Sequence, residues 1–319
     1  MVVSHETGKA YWMKKTLRRA IYGGVCHGFV LRPKICDYDN IDDDRIQFVM
    51  TGEQCAIKCM DWQKVLENDL KHLRSEDPLK EVAAMQYLQN NGDGCEHVMT
   101  PMEVICDGRT LFLMMPYMNG GEMFDRLKQS GDRFQEGEAR YFMRQIISGV
   151  QSLHRAGVCH RDISLENILL DGGFCKIIDL GMCLKAAKGR NMKPQGVCGK
   201  GFYMSPEVYS NATGLDGFAS DMWSIGVVLF MMLIGSAPFE RPDYSDDCFS
   251  WIVGGKLDKL LKTWETPLSR EGVDLINRLL CVNPQDRLTA EEMLSHPWFS
   301  NYMGDDDAPP PPVPQCMCM

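Results

Sequence analysis

The stretch His160-Arg161-Asp162-Ile163-Ser164-Leu165-Glu166-Asn167 is followed, twelve residues after Asn167, by Asp179-Leu180-Gly181. The chain reads differently on its two sides. Upstream, short strand-like runs gather around Gly-rich turns as far as Met60, broken by an acidic stretch from Asp37 to Asp44 that reads as a solvated loop insertion. From Asp77 to Leu88 the spacing of Leu79, Val82, Ala83, Met85 and Leu88 predicts a helix. Two more strand candidates end in Leu111-Phe112-Leu113-Met114-Met115, and Pro116 and Gly120-Gly121 break the pattern. From Glu122 to Tyr302 the pattern is mostly helical, with loops at 160–215. A small strand-rich part followed by a large helical one predicts an α+β chain of two lobes with a cleft between them.

The bulk composition narrows the function. With 319 residues, 45% hydrophobic and 24% charged, the chain suits one two-lobed unit of ordinary globular make-up. A net charge of −9 argues against binding nucleic acid through its phosphates. The longest apolar stretch, Met222 to Ile234, is too short to cross a bilayer and predicts a buried helix. The first residues lack the basic-then-apolar order of a signal peptide. The fourteen cysteines lack paired metal-ligand spacing apart from Cys316 and Cys318, so reduced, packed thiols are expected, in the cytoplasm or also the nucleus.

The quoted stretch resembles the catalytic loop and metal-binding triplet of eukaryotic Ser/Thr protein kinases. The chain is identified as a member of that family from about residue 17 to 303, with a calmodulin-dependent-kinase-like flavour. The implied layout is an extension over 1–16, a small lobe over about 17–116, a hinge near 115–119, a large lobe over about 120–303 and an acidic, proline-rich tail over 304–319. The resemblance implies ATP and Mg²⁺ as the cofactors and γ-phosphate transfer to protein hydroxyls. Asp162 would orient the attacking hydroxyl and accept its proton, while Asn167 and Asp179 would hold Mg²⁺. Lys58, in Ala56-Ile57-Lys58, would hold the α- and β-phosphates and needs a carboxylate partner. Glu81 is the first choice, with Glu76 and Asp77 as rivals. Ala56, Leu169 and Ile178 would sandwich the adenine, Met115 would be the gatekeeper, and Met118 would offer its backbone to the base. Downstream, Tyr203-Met204-Ser205-Pro206-Glu207 resembles the family's Ala-Pro-Glu segment, and Glu207 is expected to pair with Arg287.

Three departures stand out. The Gly-rich phosphate loop fits best on Gly23-Gly24-Val25-Cys26-His27-Gly28-Phe29-Val30, with Val25 where the second glycine belongs. Most relatives carry a lysine two residues after the catalytic Asp and a threonine after the glycine before Ala-Pro-Glu. Here those positions hold Ser164 and Lys200, as though the two groups had been exchanged. Lys200 is therefore expected to reach the γ-phosphate, the alternative being a solvated surface lysine. Finally, Met182 to Phe202 contains no Ser, Thr or Tyr, although Arg161 stands where kinases switched by loop phosphorylation keep an arginine. Activity is expected not to require phosphorylation there. Cys183 and Cys198 could make this stretch redox-sensitive, with plain packing as the blander reading.

The resemblance implies that Glu122 touches the ribose and often a substrate Arg and that Glu166 is another acidic position near substrate; together they predict a basic residue upstream of the target Ser or Thr. The last four residues, Cys316-Met317-Cys318-Met319, fit a prenylation box loosely; a single chain on Cys316 would anchor the protein weakly, and a free tail is the alternative. Two other functions compete with an active kinase: a pseudokinase scaffold that binds protein partners, and a small-molecule phosphotransferase. Lys58, Asp162, Asn167 and Asp179 together argue against the first, and Ser205-Pro206-Glu207 against the second.

Overall fold

A computed structural model describes residues 1–34, 47–71, 77–91, 96–186, 191–192, 199–212 and 214–300. The chain divides into two compact units: residues 1–86 with 100–118, and residues 87–99 with 119–319.

The first unit is built on one antiparallel sheet. Its strands are β1 (Val2–Val3), β2 (Ala10–Ala20), β3 (Gly23–Pro33), β4 (Phe48–Asp61), β5 (Glu103–Cys106) and β6 (Thr110–Pro116), in the order β1-β2-β3-β4-β6-β5. Helices α1 (Trp62–Lys71) and α2 (Pro78–Asn91) follow β4 in the chain. Side chains alternate between the faces of a strand. One face buries Tyr11, Val30, Cys55, Ile57, Phe112 and Met114 as a core. The sheet curls until opposite ends of its strand order meet: Glu103 on β5 accepts from the Tyr11 hydroxyl at 2.5 Å and from Ser4 and Thr7. Burial first, and then Glu103, push the Tyr11 phenol up, which keeps it a neutral donor. Residues 1–16 thus supply β1 and more than half of β2. Their apolar alternation is hard to see because β2 buries only Ala10 and Tyr11 fully and exposes Lys14, Lys15, Arg18 and Arg19; its place in the sheet comes from ladder bonds to β3.

The second unit is mainly helical. After β7 (Gly121–Glu122) and α3 (Met123–Gln129), the long α4 (Glu136–Arg155) buries Phe142, Met143, Ile146, Ile147, Val150 and Leu153 at three- and four-residue spacing. Short strands β8 (Val158–Cys159), β9 (Ile168–Asp171), β10 (Phe174–Ile177) and β11 (Leu184–Lys185) carry the loops that matter. Past α5 (Pro206–Tyr209), α6 (Gly217–Ile234) is apolar on every side because it lies inside the unit. By composition it could span a membrane, yet 83% of it is buried in protein. Asp216 caps its start, accepting from Phe218 and Ala219 N–H, and Gly235 closes it at φ 92°. Helices α7 (Asp247–Val253), α8 (Leu257–Thr263), α9 (Arg270–Leu279), α10 (Ala290–Leu294) and α11 (Pro297–Ser300) complete the unit. α9 packs so close to α6 that a Cβ on Gly226 would sit 2.8 Å from Leu279 Cβ. The expected Glu207–Arg287 pair is present at 2.8 Å, with Arg287 fully buried, stacked over Trp223 and bonded to the carbonyls of Ala219 and Cys281.

Candidate active site

In the second unit the loop after β8 is held from below by the central helix. Asp221 of α6 accepts from His160 N–H and Arg161 N–H, both at 2.8 Å, and stands 3.0 Å from His154 Nε2. Arg161 takes φ 70°, a left-handed conformation that a non-glycine residue holds only when its surroundings impose it. His160 Nε2 lies 2.9 Å from the Ile178 carbonyl, so that nitrogen carries the proton, and Nδ1 accepts from Asp162 N–H. Asp221 is not among the residues that the sequence singles out. A lone charge inside an otherwise apolar helix was the signal, because it must find donors.

Asp162 and Asn167 form one constellation. Asn167 Nδ2 donates to the Asp162 carbonyl at 2.8 Å and to Asp162 Oδ2 at 2.9 Å. The Asn167 carbonyl accepts from Ile178 N–H at 2.9 Å, which ties this loop to the strand end before Asp179. Asp179 also adopts a left-handed conformation, φ 67°, and its Oδ1 accepts from Gly181 N–H. Asp162 Oδ1 is buried and has no hydrogen-bond partner among the described residues. Burial pushes the Asp162 carboxyl above its ordinary range; Lys200, then His160 and the Asn167 amide, pull it back, and Asp179 adds to the rise.

Lys200 lies in this cluster and not in bulk solvent. Its Nζ donates to Ser164 Oγ at 2.5 Å and to Glu166 Oε2 at 3.3 Å. The Tyr203 hydroxyl, which sequence reading missed, donates to the same Glu166 oxygen at 3.4 Å and accepts from Leu165 N–H. Glu122 and Leu169 are cross-strand partners on β7 and β9. Leu169 and Ile178 are partly exposed, while Ile168, Leu170 and Ile177 around them are buried in the unit's core. Cys183 is buried, in keeping with packing, and Cys198 lies outside the described residues.

In the first unit, Lys58 on β4 meets Glu81 of α2 at 2.6 Å. Asp77 does other work: its Oδ1 accepts from Leu79 and Lys80 N–H at the start of α2. Glu76 lies outside the described residues. Ala56, Lys58 and Met115 share one face of the sheet, since Lys58 pairs with Val25 and Leu113, and Ala56 with His27 and Met115. Met118, three residues on, is buried.

The phosphate loop needs correction. Residues 23–30 are not a loop; they belong to β3, and the hairpin turn lies before them at Ile21–Tyr22. Placed on that turn, the eight-residue pattern runs from Arg18 to Val25; of its three glycine positions, 18, 20 and 23, Gly23 alone is filled by glycine, and its valine falls at Val25. The shift is five residues, and an odd shift changes the face of every side chain. Gly28 and Val30 therefore lie on the core face, opposite Lys58. Gly28 is glycine for packing: a Cβ there would come within 2.7 Å of the Trp12 carbonyl and 2.8 Å of Ile57. Gly23 allows β3 to pass close to the Cys59 carbonyl. Val25 takes the pattern's valine position, so it no longer replaces a glycine.

The oxygen donors fit a hard cation. Asn167 spends its amide N–H groups on Asp162 and keeps Oδ1 as an acceptor, and Asp179 adds a carboxylate. Among the described residues no group of three or more His, Cys, Asp or Glu side chains could hold a metal by itself.

A curled antiparallel sheet with a buried Lys–Glu pair, and a helical unit whose central helix holds an Asp–Asn loop, define the protein kinase fold. Residues 46–299 match the protein kinase domain, and the chain belongs to that family. It is similar to CBL-interacting serine/threonine-protein kinase 3 of Arabidopsis thaliana, 35% identical over 254 residues, covering 78% of this chain and 53% of the relative. Serine/threonine-protein kinase SAPK2 of Oryza sativa subsp. indica is 34% identical over 258 residues, 80% of this chain and 71% of its own. Maternal embryonic leucine zipper kinase of Xenopus laevis is 34% identical over 252 residues, 79% of this chain and 36% of its own. The chain spans about half the length of most of the curated relatives it matches. Strands β1 to β3 precede the matched residues.

Proposed function

We propose that this protein transfers the γ-phosphate of ATP to Ser or Thr hydroxyls of other proteins. The observation that carries the reading is Asp162 Oδ1, a buried carboxylate oxygen with no partner among the described residues, on a side chain whose other oxygen is fixed by Asn167. It can take the proton of an incoming hydroxyl as that oxygen bonds to Pγ and the bond from Pγ to the β-phosphate oxygen breaks, releasing ADP. Asn167 and Asp179 would hold Mg²⁺, which when bound neutralises phosphate charge. Lys58, fixed by Glu81, supplies the ammonium for the α- and β-phosphates. Lys200 supplies another beside Asp162, where negative charge develops on the transferred group.

Activity without phosphorylation of residues 182–202 is part of the proposal. The Arg161 guanidinium donates to the Met182 carbonyl at 3.3 Å, so the protein's own backbone takes a bond that a phosphorylated loop would offer. A basic residue upstream of the acceptor is expected to reach Glu122; the other acidic position, Glu166, is bonded by Lys200.

The test is transfer from Mg·ATP to a library of Ser/Thr peptides, with Asp162→Asn as control. Transfer by the wild type and not by the variant is expected, and phosphatase treatment should leave the rate unchanged. Nucleotide binding without transfer by the wild type would overturn the reading. Lys200→Ala should lower the rate on every peptide by about a hundredfold; an unchanged rate would remove Lys200 from the mechanism.

A further inference from the structure

Glu166 sits four residues after Asp162, on the single turn formed by Leu165–Asn167. Lys200 touches both neighbourhoods: it bonds Glu166 and exerts its charge on Asp162. A peptide that presents a hydroxyl to Asp162 therefore lies within about one side chain of Glu166. The Glu166 side chain is 30% exposed and that of Lys200 37% exposed, so an arriving peptide can reach the pair.

A lone carboxylate in this place would draw an Arg or Lys from the peptide. Glu166 is not alone. Its Oε2 accepts from both Lys200 and the Tyr203 hydroxyl, and Lys200 is anchored at its other contact by Ser164, whose side chain is buried. A basic residue on the peptide could reach Glu166 only by displacing Lys200, exchanging one ammonium–carboxylate contact for another of the same kind. The net gain from that exchange is close to zero. Were a smaller or neutral residue at 200, the same carboxylate would select for positive charge.

We propose that Lys200 is a specificity-determining residue: it neutralises Glu166 from within the protein and removes the demand for a basic side chain at that subsite, so the kinase accepts neutral residues there. Ser164 is the positioning residue that makes this possible, because a buried hydroxyl of that size accepts the ammonium and holds it over Glu166. The inference rests on the kinase reading only in taking the ligand to be a peptide.

The experiment is kept independent of turnover. Peptides with Ala in place of the acceptor Ser are labelled with a fluorophore, and Arg is compared with Ala at each upstream position by anisotropy. For the wild type, the Arg/Ala affinity ratio at the position governed by Glu166 should stay below about threefold, and Lys200→Met should raise it to about tenfold. Lys200→Arg should keep the wild-type ratio, and Lys200→Met with Glu166→Gln should lose the gain. A ratio that Lys200→Met leaves unchanged at every position overturns the inference. So does a wild type that already prefers Arg and loses the preference with Glu166→Gln alone. Phosphate transfer is measured separately on the Ser peptides, so a failed kinase reading and a failed specificity inference give different results.

Discussion

Two lysines of this protein hold glutamates, and they do so in opposite circumstances. Lys58 and Glu81 meet at 2.6 Å with side chains 9% and 4% exposed. Lys200 and Glu166 meet at 3.3 Å with side chains 37% and 30% exposed, and a hydroxyl shares the ammonium. Removing two charges from water is costly, so the first pair is stable only while both partners stay. Water screens the second, which makes it worth little to the fold and easy to exchange. The buried pair suits a fixed post for a ligand, and the exposed pair suits a contact that substrate can renegotiate.

The largest effect should come from breaking the buried pair. Lys58→Met leaves the Glu81 charge inside the first unit without its ammonium and should cost about 3–5 kcal/mol, read as a lower urea midpoint, besides abolishing transfer. A midpoint within error of wild type would show that Glu81 has another way to be satisfied. Next, Gly28→Ala tests the face assignment. A methyl forced against the Trp12 carbonyl and Ile57 should destabilise by about 1–3 kcal/mol while nucleotide affinity in the folded fraction is unchanged. Stability kept with affinity lost would return Gly28 to the phosphate loop.

The exposed pair should respond more gently. Lys200→Met should move stability by no more than about 1 kcal/mol, in contrast to Lys58→Met. Its clearer signature is in pH. Burial raises the Asp162 carboxyl and Lys200 opposes that rise. The rate requires the ionised form, so it falls as pH drops through this group, and removing Lys200 should move that acid limb to higher pH. The sign for stability is the reverse of an ordinary ion-paired carboxylate. The folded protein holds the Asp162 proton more tightly than the unfolded chain, so the contribution of this group to stability falls as pH rises above the ordinary carboxylate range. Asp162→Asn, neutral throughout, should melt higher than wild type at neutral pH; a lower melting temperature would show that Oδ1 is not an uncompensated buried charge.

The second unit was the more legible. Asp162 and Asn167 share one short loop and Asp179 follows just past the hairpin of β9 and β10, so their spacing carries over directly. The helix for Met222 to Ile234 was equally plain, since an apolar run of that length must be buried. The pairing of Lys58 with Glu81 instead of Asp77 was also readable, although only the structure shows Asp77 occupied as the first-turn acceptor of α2. The phosphate loop was not readable. Glycines are informative where backbones approach or φ is positive, and Gly23, Gly24 and Gly28 occur together for reasons of strand packing. Counting glycines moved the turn by five residues and reversed the face.

Residue order by itself determined the family and the two-part α+β organisation, and it proposed the groups that would do the chemistry, because those depend on which side chains occur at short fixed spacings. Tertiary structure alone decided which face of β3 looks toward Lys58, that Asp221 holds the loop of His160 and Arg161, and that Lys200 spans Ser164 and Glu166. Each of these is a contact between segments distant in sequence. Strand register and the packing of α6 set those contacts, and no local pattern encodes them.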